Sequence, residues 1–177
     1  MGKFNDKILA EFQPPKKWKL GRDLTYTTSD LTADEVRSLQ DVGVEVIRDT
    51  NKTEVFTVPN GFITDLASTP RVLWNVIAPF DVARAAIVHD LLYKTIRAYR
   101  WSKGANEEDK ELIAKAKKAS DKVFLLAMKD ASPRVSGWKM YSAWKAVDLF
   151  GRWSIIPNES NISVSYTHLT LPTKRIV

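Results

Sequence analysis

Up to Gly61 the apolar residues of this chain sit in short alternating runs, and beyond it they recur at spacings of three and four. Side chains alternate between faces along a strand and return to the same face every three or four residues along a helix. The switch therefore predicts strands first and helices after. The expected fold class is α+β: a small antiparallel β meander or hairpin in the N-terminal half, packed with a three- to four-helix C-terminal half.

Residues 1–28 are basic and broken by Pro14-Pro15, then alternate through Trp18, Leu20, Leu24 and Tyr26, which predicts a loop followed by a strand. Thr32 and Glu35 have capping-box spacing and open a helix that Gly43 should stop near Val42. Val44-Glu45-Val46-Ile47 and Glu54-Val55-Phe56-Thr57-Val58 predict two strands joined by a turn at Asp49-Thr50-Asn51-Lys52. Thr69-Pro70 caps a short helix from Arg71 to about Ile77. Longer helices are expected over about 81–100, 107–129 and 133–150.

The C-terminal end stands apart. Val164-Ser165-Tyr166-Thr167-His168-Leu169-Thr170-Leu171-Pro172-Thr173 resembles a translated sequencing-library adapter. Residues 1–162 are therefore read as a single globular domain, and 163–177 as a non-native tail. Leaving out Lys174 and Arg175 takes two from the 27 basic residues against 21 acidic ones, so the formal charge falls from +6 to +4. That excess suits an anionic surface but is too small to favour nucleic acid. The 177 residues include no cysteine, which excludes disulfides and thiolate chemistry. The N-terminus leads into no signal-like or membrane-spanning stretch, so the expected location is a cytoplasm or a virion.

Of the two histidines, His168 lies in the tail, which leaves His89. One histidine cannot make the paired-histidine helix of a zincin or complete a histidine-aspartate phosphohydrolase site. No glycine-rich phosphate loop is present either. On the 81–100 helix, His89 and Tyr93 are four apart and share a face with Ala85, Ala86 and Leu92. Asp90 points about 100° away, toward Lys94 and Arg97. On the next helix Asp121 lines up with Phe124, Leu125 and Met128, an acid on an apolar face that needs a donor. His89 is the candidate donor. A carboxylate that holds one ring nitrogen leaves the other free to take a proton from water. The same pair could equally be a satisfied polar contact in the core. Asp65 reads as a helix N-cap, and Thr64 and Ser68 as turn and cap hydroxyls.

Three motifs in order carry a resemblance. They are Gly61-Phe62-Ile63-Thr64-Asp65-Leu66-Ala67-Ser68-Thr69-Pro70-Arg71, then His89-Asp90-Leu91-Leu92-Tyr93, then Asp121-Lys122-Val123-Phe124. Together they resemble the phage and prophage family called domain of unknown function thirteen fifty-three, over about residues 20–150. The family implies a tailed-phage or prophage setting, with other phage proteins as partners, and no particular reaction. Residues 89–93 followed by a helical aspartate are also similar to the active site of secreted and parvovirus-capsid phospholipases A2. That likeness implies His89 as general base, Asp121 as its orienting carboxylate and Tyr93 bonded to that carboxylate. It also implies a calcium ion on Asp90 and a phospholipid membrane surface as substrate. The glycine-rich calcium loop of those enzymes is reduced here to Gly61, with Asp65 standing in for part of it. The expected function is accordingly a calcium-assisted ester hydrolase. The alternative is a non-catalytic phage accessory or virion component, with His89 and Asp121 as a core pair.

Overall fold

The computed structural model describes residues 2–5, 7–15, 17–64, 82–103, 107–132 and 135–157. Seven strands and four helices are described: β1 (Lys3–Phe4), β2 (Ala10–Gln13), β3 (Lys17–Leu20), β4 (Leu24–Thr28), α1 (Ala33–Asp41), β5 (Val46–Arg48), β6 (Glu54–Val58), β7 (Ile63–Thr64), α2 (Ala83–Lys103), α3 (Glu107–Lys129) and α4 (Gly137–Ser154). The α+β class and the order of strands before long helices are as the periodicity predicts. The expected short helix at 71–77 and the tail at 163–177 lie outside the described residues.

The strands form two antiparallel sheets, in the orders β1-β4-β6-β5 and β2-β3-β7. The expectation of a loop and one strand before residue 28 is corrected here. The alternation from Trp18 to Tyr26 is cut between Leu20 and Leu24, and its halves join different sheets. In the larger sheet Leu24, Tyr26 and Thr28 of β4 face Val58, Phe56 and Glu54 of β6, and all six are buried. The inward Glu54 is held by Arg48 on β5 at 3.4 Å. The two-residue strand β1 is secured over a long sequence distance. The Gly2 amide and the Tyr26 hydroxyl both donate to Asp130 Oδ2, at 3.1 and 2.8 Å.

Helix α1 has the expected capping box. Thr32 Oγ1 accepts from the Glu35 amide, and Glu35 Oε2 accepts from the Thr32 amide. The same Oε2 takes the Lys122 ammonium at 2.7 Å, tying α1 to α3. Gly43, at φ +94°, ends the helix in the left-handed region that a Cβ disfavours. Helix α3 is central and packs against α1, α2 and α4. Its buried Ala116, Ala119 and Ala127 let neighbouring helices approach closely, while Val123, Phe124 and Met128 fill the core against Val88, Leu92 and Ile96 of α2. The last helix begins and ends four residues later than expected. No helix among the described residues is long and apolar enough to cross a membrane.

Candidate functional site

The sequence motifs meet where α2 crosses α3. His89, one turn before Tyr93, directs Nε2 to Asp121 Oδ1 at 3.1 Å. The Tyr93 hydroxyl donates to the same oxygen at 2.6 Å. The other carboxylate oxygen accepts from the Lys117 ammonium at 2.7 Å. Lys117 also donates to the Asp148 carbonyl of α4, at 3.2 Å. Asp121 is 3% exposed and lies in the core with three donors around it.

Burial alone would raise the Asp121 carboxyl, but the bonds from His89, Lys117 and Tyr93 outweigh it and hold the group below the usual carboxylate range. An ionised carboxylate only accepts hydrogen bonds, so Nε2 carries a proton toward Asp121. Nδ1 has no hydrogen-bond partner among the described residues. Burial and the Asp121 charge push the Tyr93 phenol up, so it stays a neutral donor. The His89 ring lies 4.0 Å from the Tyr93 ring and 4.9 Å from that of Phe124, centroid to centroid, which limits its rotation.

Asp90 turns away from this cluster, as its place on the helix predicts. Its Oδ2 lies 3.3 Å from Lys94 Nζ, and its Oδ1 3.9 Å from Arg97 Nη2. Lys94 also donates to the Ile63 carbonyl of β7 and lies 4.2 Å from the Phe62 ring centroid. The first motif is thereby brought against the second through Phe62 and Ile63. Asp65, the other expected metal ligand, lies outside the described residues.

Two participants escaped the sequence reading. Lys117 lies four residues before Asp121 on one helix, and that i, i+4 spacing was an available signal. Gly151 of α4 packs on Tyr93, where an added Cβ would overlap the hydroxyl and come within 3.1 Å of Cζ. Nothing local in the sequence singles out that glycine.

No curated protein and no solved structure matches the chain. The model of the family described as "Protein of unknown function (DUF1353)" matches residues 41–147, a span that takes in Phe62 and Ile63, the His89–Tyr93 turn, and Lys117 with Asp121. The chain belongs to the DUF1353 family.

Proposed function

We propose that the chain is a phage- or prophage-encoded ester hydrolase, phospholipase A2-like in its chemistry, acting in the host cytoplasm or on the virion with His89 as general base. The observation that carries this reading is the shared Asp121 oxygen. It accepts from both Nε2 of His89 and the Tyr93 hydroxyl, so the ring is oriented through one nitrogen and Nδ1 is left without a hydrogen bond among the described residues. In the reaction Nδ1 takes a proton from water, and the resulting hydroxide attacks the ester carbonyl. Asp121 stabilises the imidazolium, which then returns its proton to the departing alkoxide.

Calcium is the group that the phospholipase likeness adds; Asp90, whose buried Oδ2 accepts no hydrogen bond among the described residues, would hold it together with Asp65, which lies outside them. Asp90 already faces the cations of Lys94 and Arg97. A calcium ion takes six to eight oxygen ligands. Among the described residues no three acidic, histidine or cysteine side chains gather as a ligand set. No step is therefore assigned to a metal.

Hydrolysis of phospholipid vesicles and of a soluble ester by the purified chain tests the reading. His89→Gln should lower the rate at least about 100-fold, the lower end of what a general base supplies. Equal rates for parent and variant would end the proposal. Calcium addition and chelation in the same assay decide whether Asp90 exchanges its cations for a metal.

A second reading, a non-catalytic accessory or virion component, is favoured by the packing of His89. The side chain is 12% exposed, and its ring lies against two aromatic neighbours. On that reading the parent hydrolyses nothing and His89→Gln acts only by lowering the melting temperature.

A further inference from the structure

Helix α4 has two unlike faces. Ala143, Val147 and Gly151 face the core, with Gly151 against Tyr93. The opposite side carries Trp138, Tyr141 and Leu149, between 57% and 62% exposed. At 100° per residue, Trp138, Lys145, Leu149 and Arg152 fall within one narrow stripe, with Tyr141 on its border. A stripe of large apolar side chains left in water is unusual for a protein surface and points to something that covers it.

The charges choose the occupant. The stripe carries Lys145 and Arg152, and the helix's one acid, Asp148, lies beside it with Oδ2 3.9 Å from Lys145 Nζ. The Lys145 ammonium lies 4.8 Å from the Trp144 ring centroid, and the Arg152 guanidinium 4.5 Å from that of Trp153. An anionic lipid leaflet satisfies both parts of the stripe. Tryptophan and tyrosine rings settle at headgroup depth, leucine reaches the acyl boundary, and the basic side chains extend along the apolar surface to the phosphates.

We infer that the outer face of α4 is a docking surface for anionic phospholipid membranes. The inference stands on α4 alone and does not depend on His89 chemistry. A membrane-bound α4 would hold the His89 cluster one helix away from the lipid, since Lys117 bonds the Asp148 carbonyl and Tyr93 packs on Gly151.

Flotation of the full chain with phosphatidylglycerol and with phosphatidylcholine vesicles, followed by tryptophan emission, tests this. The expected result is binding to phosphatidylglycerol with a blue shift, weakened by salt, and much weaker binding to phosphatidylcholine. Each basic side chain near an anionic leaflet contributes about fivefold in affinity, so Lys145→Gln with Arg152→Gln should weaken binding about 25-fold. Trp138→Ser with Leu149→Ser should weaken it by at least about tenfold. Both double variants should keep the parent's melting temperature, because the replaced side chains are solvent-facing. His89→Gln should bind as the parent does, which separates docking from hydrolysis. The inference is overturned by absence of binding to phosphatidylglycerol at low salt, or by equal binding of parent and both double variants. Concentration-dependent self-association that these substitutions abolish, without vesicle binding, would assign the face to a second copy instead.

Discussion

Gly151→Ala is the sharpest probe of how the polar cluster is held. Inside a helix, alanine in place of glycine is by itself stabilising by about 0.5–1 kcal/mol. Here the new methyl would overlap the Tyr93 hydroxyl, which donates to Asp121 at 2.6 Å. Overpacking of this kind costs about 1–3 kcal/mol. If the ring moves aside to relieve it, a hydrogen bond to a charged group, about 1.5–3 kcal/mol, is lost as well. The net expectation is destabilisation by about 1.5–5.5 kcal/mol, the two costs added and the helix gain subtracted. In a Tyr93→Phe background the hydroxyl is gone and the nearest ring atom to the methyl, Cζ, is 3.1 Å away. The same glycine substitution should then cost less than about 1 kcal/mol, giving a coupling of about 2 kcal/mol in a double-mutant cycle. Urea midpoints of the four proteins, with slopes checked for constancy, provide the measurement. An additive cycle, or a Gly151→Ala protein as stable as the parent, would refute the claim that α4 presses the tyrosine onto Asp121.

Two further outcomes follow from the same geometry. Because the folded-state Asp121 carboxyl lies below its ordinary value of 3.8, its contribution to stability is present above that pH and is lost as pH falls through the folded value. Asp121→Asn should thus be less stable than the parent at pH 6 by about 3–5 kcal/mol, the range for leaving a buried ion uncompensated. The gap in urea midpoint should narrow below pH 3.8; a gap independent of pH would contradict the ionised, triply bonded carboxylate. At α1, Thr32→Ala removes the hydroxyl that accepts from the Glu35 amide. The melting curve should register a loss of about 1 kcal/mol, and no loss would mean that the Lys122–Glu35 pair alone anchors this turn.

The parts legible in sequence were those fixed by local chemistry. The capping box at Thr32 and Glu35, the turn between β5 and β6, and the inward placement of His89, Tyr93 and Asp121 all depend on spacings of two to four residues. A buried acid needs donors, and that requirement alone connected Asp121 to His89 across 32 positions. The N-terminal region was misread because its strands are defined by distant partners. Lys3-Phe4 is a strand only through Thr27 and Tyr26, and Lys17–Leu20 belongs with Ile63-Thr64 rather than with the β4 residues that follow it. Short strands of this kind carry too little periodicity to announce themselves. Lys117 is hidden because a lysine on a polar stretch of helix reads as surface, although its ammonium is drawn inward by Asp121 and the Asp148 carbonyl. Gly151 was invisible for a different reason: the atom that requires it belongs to a tyrosine 58 positions earlier in the chain.

The clasp between Gly2, Tyr26 and Asp130 bears on how the chain is made. During synthesis β1 emerges long before the end of α3, so β4 can pair with β6 while one acceptor of the clasp is still untranslated. Until residue 130 arrives, the two-residue β1 is held to β4 by its ladder, the Thr27 hydroxyl on the Lys3 carbonyl and the Phe4–Tyr26 ring contact, without the clasp. An unheld β1 leaves the outer edge of β4 open to pair with another chain. Nascent chains arrested before residue 130 should accordingly rely on chaperones far more than the finished protein does.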